Sequence, residues 1–392
     1  MYDYLSEAWV LFNYTRGLRR DFHRHPEIGF NEVRTAGIVV RELEDLGLKV
    51  TPGIAKTGVI ALLEMERPGP VILLRFDMDA LPVQEETGVD YFSETPGVMH
   101  ACGHDGHIAI GLSVARILYN HRQELDGTVK FVFQPAEEGL GGAEGMIKEG
   151  VLKDPKPDLA LALHLWNEKP VGWLGIRSGP VMSASEIFKL RIIGRGGHGA
   201  APHLAIDPVY ASAQIINALQ SIVSRNVPPL QSAVVSVTTI HTGDAFNVIP
   251  SSAEMQGTIR TFDPTVRKRV LSRFRQIIEG IAETMECQVE LNLQSITPAV
   301  INDPQITDVI WQTAEQVLPG SQLDDDFSTM GSEDFAFMTR EIPGCYFFIG
   351  SANPEMGLNA SHHHPKFNFD EDALPRGVAL ITAAAVQFLR KQ

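Results

Sequence analysis

The chain is poor in cysteine. The three it has, Cys102, Cys287 and Cys345, are odd in number and form no CxxC pair. That argues against a disulfide framework and for a reducing compartment. Positive charge is also scarce: 33 Lys and Arg stand against 48 Asp and Glu, a formal net charge of −15. Such a balance speaks against nucleic acid or an anionic membrane as a partner. The acids are spread along the chain rather than gathered in a tail, so solubility is their expected role. No hydrophobic run is long; the longest, Gly377 to Leu389, is too short to span a bilayer. The opening MYDYLSEAWVLF lacks the basic segment and small-residue cleavage site of a signal peptide. Internal repeats and low-complexity tracts are absent too. The expectation is a soluble cytoplasmic protein. With 392 residues, 44% of them hydrophobic, it has room for two domains, or for one large domain with an insertion.

What is present is concentrated in one octet, His100-Ala101-Cys102-Gly103-His104-Asp105-Gly106-His107. Thiolate, imidazole and carboxylate are the side chains that hold transition metals. Clustered loop histidines can also be surface residues, and a lone Cys is often a small buried apolar group. Ile108, Leu112, Ala115 and Leu118 recur at helical spacing just after it, so Cys102 and His104 are expected in a Gly turn before a helix, with Asp105 as N-cap. A helix start favours a thiolate. One loop cannot close a four-ligand site, so other segments have to contribute.

Ala36, Val39, Val40, Leu43 and Leu46 predict a helix ended by Gly47, with His23 and His25 in the connection before it. Apolar runs at 71–74, 128–133 and 159–163 follow, with helical stretches between the later ones; this suggests parallel strands buried on both faces. The first leads into Asp77 and Asp79, the second into Glu137-Glu138, and the third ends in His164. Open α/β sheets build their sites at the carboxyl ends of strands, and these runs deliver carboxylates and imidazole there.

From residue 184 the pattern becomes β-α-β-β-α-β, the order of a ferredoxin-like α+β domain, with Asp207-Pro208 and Asp263-Pro264 opening its helices. The α/β pattern then resumes, with a strand from Gly344 and a helix from about Leu374. The expected division is a catalytic domain in two segments, 1–183 and 295–392, around an inserted domain, 184–294. Gly194-Arg195-Gly196-Gly197-His198-Gly199 matches GxGxxG, yet Pro202 and Pro208 delay the helix and residues 216–224 hold no acid. A dinucleotide site is therefore rejected, and the glycines are read as a loop presenting His198.

The series FDMDALP (76–82), HACGHDGH (100–107), QPAEEG (134–139), GGHGAAPH (196–203), FNVIP (246–250), GTIR (257–260) and HHPKF (363–367) resembles the M20 metallopeptidase family. Its amidohydrolase branch, subfamily D, matches best: hippurate hydrolases, N-acetyl amino acid deacetylases, aminoacylases and plant indole-acetyl-amino acid hydrolases. The resemblance implies an exopeptidase-like catalytic domain, a lid domain that dimerises, and two divalent metal ions per subunit. Cys102 would bridge the ions, with Glu138 and His363 on one side and His104 and His164 on the other. Glu137 would be the general base, and Asp79 would orient a ligand imidazole. His198, Asn247 and Arg260 would come from the inserted domain and can reach the partner subunit's site. Ser251 stands where relatives often carry Asp, and Ser361-His362 replaces a more apolar lead-in.

Amide hydrolysis lacks a good nucleophile at neutral pH, and a metal lowers the pKa of bound water from 15.7 to about 7. Glu137 would take the water proton and return it to the leaving amine. His198 is the candidate for the oxyanion. Arg260 suits a substrate carboxylate, which favours an N-acyl amino acid over a simple amide. Zn²⁺ suits Cys, His and Glu ligands, with Mn²⁺, Co²⁺ and Ni²⁺ as alternatives. The runner-up activity is a metallocarboxypeptidase or dipeptidase acting on a short peptide. Two rivals of other classes are a thiol hydrolase using Cys102 with His104 or His107, and a non-catalytic binding protein; both leave the intact donor set without a purpose.

Overall fold

The structure, a computed structural model, describes residues 3–390. Contacts divide the chain into two compact units. The first comprises the chain through Val181, Val300–Ser328 and the chain from Glu333 onward; the second comprises Met182–Ala299 with Thr329–Ser332.

The first unit is built on an eight-stranded sheet in the order Lys49–Ile54, Gly58–Glu64, Thr128–Gln134, Val71–Asp77, Leu159–Pro170, Gly344–Ala352, Trp173–Gly175, Gln322–Asp324. Its centre is parallel: Val71–Asp77 pairs in parallel with both Thr128–Gln134 and Leu159–Pro170, and the latter with Gly344–Ala352. These strands are buried along most of their length, as sequences apolar on both faces require. Helices His104–His121 and Ala373–Leu389 are buried almost end to end and share one core with the sheet. The unit is therefore α/β, as expected.

Three local expectations are corrected. Asp105 is not the N-cap: Gly103 is, at φ +92°, and the helix opens at His104. Asp105 lies inside the first turn, buried, because its carboxylate takes Arg19 Nε at 2.9 Å and His23 Nδ1 at 2.8 Å rather than the helix amides. His23 is not in a connection either; the helix Phe12–Arg24 runs through it, and the bond to Asp105 holds it in the core. The third parallel strand does not end in His164 but continues to Pro170, since the Gly344–Ala352 ladder extends beyond it.

The second unit follows the β-α-β-β-α-β order. Its sheet runs Ala233–His241, Ser252–Thr261, Ala184–Ile193, Gln288–Thr297, antiparallel throughout. Helices Pro208–Ser221 and Pro264–Thr284 pack on it through Ala211, Ile215, Leu219, Val270, Phe274 and Ile278. Asp207 and Asp263 cap them as their Asp-Pro pairs predict, each accepting two backbone N–H groups. The stretch Thr329–Ser332, far along the chain, joins this unit through a Met182–Thr329 bridge and a Ser183 hydroxyl that donates to the Met330 carbonyl. No described helix is long and apolar enough to cross a membrane.

Candidate metal centre

The carboxyl ends of the central strands in the first unit bring together residues from five stretches of chain. His104 opens its helix with Nδ1 donating to the Asp79 carbonyl at 2.9 Å, which leaves Nε2 free. Gly103 makes this turn possible, since a side chain rarely adopts its φ. His164 donates Nδ1–H to the Leu165 carbonyl at 2.8 Å and so turns Nε2 to within 3.5 Å of the Cys102 sulfur. The Glu138 backbone N–H donates to Asp79 Oδ2 at 3.0 Å, so Asp79 touches the supports of two of these residues. His363, at φ +65°, is tied by its N–H to the Ala101 carbonyl at 2.8 Å, and its Nε2 lies 3.3 Å from Glu138 Oε1.

Two triads result, and they share one atom. Cys102, His104 and His164 form the first, Cys102, Glu138 and His363 the second; within each, the donor atoms lie within 4.8 Å of one another. His104 Nε2 and Glu138 Oε1 are buried with no hydrogen-bond partner of good geometry, Glu138 Oε1 facing the His363 imidazole at 3.3 Å. An unsatisfied buried polar atom costs ~1–3 kcal/mol, more when charged, so these atoms converge on a missing partner. Burial, Glu138, Glu137 and Asp77 all push the Cys102 thiol well above its ordinary pKa. A thiolate there requires a cation, and thiolate, imidazole and carboxylate are the donor set of a borderline divalent ion. The residues fit a metal.

Glu137 stands apart from the shared sulfur. It falls within 4.8 Å of His104 and Glu138, and also of Glu333 and Asp334. Burial raises its carboxyl pKa well above the ordinary value, and the negative charges of Glu333 and Glu138 push the same way. Glu333 and Asp334 were not among the expected residues. They are held by the fully buried Arg75, whose guanidinium also reaches Asp77 at 2.6 Å and Gln134 at 2.9 Å. Burial, reinforced by Glu333 and opposed by Arg75, pushes Asp334 up to about 8. The signal available for this pair was two adjacent acids set against the apolar Phe335-Ala336.

His198, Asn247 and Arg260 all belong to the second unit. His198 lies on the short strand Gly197–His198, paired with Val248, and the Gly199 N–H donates to the Asn247 carbonyl at 2.8 Å; these two neighbour one another. A side chain at Gly194 would collide with the Ile206 carbonyl, and no α-helix opens until Pro208, so this glycine run packs two loops instead of cradling a dinucleotide. Arg260 sits across from Ser185 and Val234, half-buried, with Nη1 lacking any hydrogen-bond partner. Burial lowers its pKa against the pull of Glu186.

Residues 73–387 match peptidase family M20/M25/M40. The chain belongs to that family. Among M20 relatives, the N-acetylcysteine deacetylase of Bacillus subtilis is 41% identical, over 91% of this chain and 92% of that protein. Thermostable carboxypeptidase 1 of Saccharolobus solfataricus is 37% identical, over 98% and 96%. The solved Bacillus subtilis YXEP protein, a dinuclear metal-binding M20 peptidase, superposes with a TM-score of 0.85 at 36% identity, over 97% and 99%.

Proposed function

We propose that this M20 chain is a metal-dependent amidohydrolase that splits the amide of N-acyl amino acids, releasing an amino acid and a carboxylic acid. The observation that carries the reading is the pair of donor triads sharing the Cys102 sulfur, with Glu137 beside them and outside the shared set. Glu138 and His363 would hold one ion, His104 and His164 the other, and Cys102 both. When bound, such a pair supplies Lewis acidity: it lowers the pKa of water toward 7 and polarises a carbonyl.

The protein's own groups do the rest. Glu137 takes a proton from water as the oxygen attacks the acyl carbon, holds it on its carboxyl, and delivers it to the amide nitrogen as the C–N bond breaks. Asp79 orients His104 and the Glu138 loop. His198 stabilises the oxyanion, Asn247 lies beside it, and Arg260 offers its spare N–H groups to the substrate carboxylate. Zn²⁺ is the ion these ligands suit first, with Mn²⁺, Co²⁺ and Ni²⁺ next. A homodimer in which His198 serves the partner's site, and a cytoplasmic location in keeping with three free cysteines, complete the reading.

The carboxypeptidase relative supports a second reading, peptide cleavage beside a terminal carboxylate. Acetyl-, benzoyl- and dipeptidyl-amino acids assayed with defined metals after chelation separate the two. Turnover is expected to favour the acyl amino acids and to vanish when their carboxylate is amidated. Preference for dipeptides would install the second reading, and turnover in the presence of chelator would overturn both. Mixing inactive Glu137→Gln and His198→Ala chains is expected to restore activity. No recovery despite proven subunit exchange would count against His198 acting across a dimer.

A further inference from the structure

Three buried residues beside the donor triads have no part in the proposed reaction, and they form one connected path. Arg75 donates Nη1 to Asp77 Oδ2 at 2.6 Å, and the other Asp77 oxygen takes His107 Nδ1 at 2.6 Å. A carboxylate so engaged only accepts, so the proton of His107 is on Nδ1. His107 Nε2 is then an acceptor, and it receives the Leu165 backbone N–H at 3.0 Å. The Leu165 carbonyl, at the far side of the same residue, accepts His164 Nδ1–H at 2.8 Å and His362 Nε2–H at 3.0 Å. Gly106 allows the helix backbone this close, since a side chain there would meet Leu165 at 2.6 Å.

Asp77 dictates the tautomer of His107, and the Leu165 carbonyl, which can only accept, dictates those of His164 and His362. We infer that Asp77 and His107 are positioning residues: by holding the Leu165 N–H they set where the Leu165 carbonyl stands, and so orient the His164 ring and aim its Nε2 at the Cys102 sulfur, with Arg75 anchoring the path. The inference rests on His164 being a metal ligand. Groups behind a ligand imidazole typically change metal affinity 10–100-fold.

Two substitutions of His107 separate positioning from mere filling of space. His107→Gln keeps an acceptor where Nε2 was, facing the Leu165 N–H. His107→Asn keeps a donor toward Asp77 and leaves that N–H unanswered. Zn²⁺ binding to purified apoprotein, measured by competition with a chromophoric chelator, is expected to show two ions in wild type and in H107Q. In H107N and in Asp77→Asn one of the two should bind 10–100-fold more weakly. Apo melting temperatures of H107N and H107Q should agree, which keeps lost stability from mimicking lost affinity. Side-chain ¹⁵N spectra of wild-type apoprotein should report the Nδ1–H tautomer for His107. Unchanged affinity in H107N and D77N, equal loss in both His107 variants, or the other tautomer would overturn the inference while leaving two ions in wild type. Wild type that takes up no ion would overturn the metal reading itself.

Discussion

Placing Glu137, Glu333 and Asp334 within 4.8 Å of one another has a large electrostatic cost, which Arg75 and hydrogen bonds from Gln134, Tyr346 and the Ala143 N–H offset in part. Such crowding keeps Glu137 ready to accept a proton. Glu137→Gln preserves shape and removes that capacity. It is expected to retain its metal, read by elemental analysis, while kcat falls about 10²–10⁴-fold; near-normal turnover would remove Glu137 from its role. His23 makes the opposite case, a cation among acids. Burial alone would depress its pKa, but the hydrogen bonds to Asp105 and Glu85 outweigh burial and the repulsion of Arg19, so it is raised above 6.5. Asp105 is depressed, because Arg19 and His23 overcome its burial. The His23 contribution is therefore complete below about pH 6.5 and fades as pH climbs through the folded pKa; that of Asp105 is complete above about pH 4 and fades on acidification. The melting-temperature difference between wild type and His23→Gln should be widest between those limits and shrink on the alkaline side. A difference that grows above pH 8 would contradict this.

Among the elements, the helix His104–His121 lies hard against the sheet. A Cβ on Gly111 would stand 2.6 Å from the Phe76 ring and 3.0 Å from that of Phe133. Gly111→Ala should destabilise by about 1–3 kcal/mol through overpacking, measured by denaturant unfolding. Gly17, exposed in the helix Phe12–Arg24 with open space around it, should respond oppositely: Gly17→Ala gains about 0.5–1 kcal/mol of helix propensity. Elements of this kind were legible where burial writes a simple pattern. The central strands read as apolar runs, and the helices of the second unit announced themselves by Asp-Pro. The reach of Leu159–Pro170 was not legible, since the ladder shifts register across the polar Asn167-Glu168-Lys169 before Pro170 pairs with Ala352. Nor was the start of the helix at His104, because Asp105 looks like a cap until Arg19 and His23, more than eighty residues earlier, are seen to claim it.

For the whole molecule, the convergence of Cys102, His104, Glu138, His164 and His363 on one locus could be anticipated, since four of them stand in compact motifs and His164 follows an apolar strand run. Arg75, Glu333 and Asp334 could not, for their partnership exists only once the strand carrying Arg75 meets a loop more than 250 residues further along the chain. Removing a bound divalent ion should loosen the entire first unit as well as silence it. At a free concentration 100-fold above Kd, each ion adds about 2.7 kcal/mol to stability, so chelation should lower the melting temperature and readdition restore it. A melting temperature indifferent to chelator would argue against structural coupling of the ions.

The sheet of that unit is threaded out of sequence: Gly344–Ala352 lies between Leu159–Pro170 and Trp173–Gly175, and His363 follows it. On a ribosome, the half of the site carrying Cys102, His104 and His164 emerges long before the strand that closes the sheet beside it. An ion captured by the first triad would have to wait for the stretch from His164 to His363 to emerge before the second triad could form. Nascent chains cut short anywhere before His363 thus lack one member of the second donor triad, however completely the first has formed.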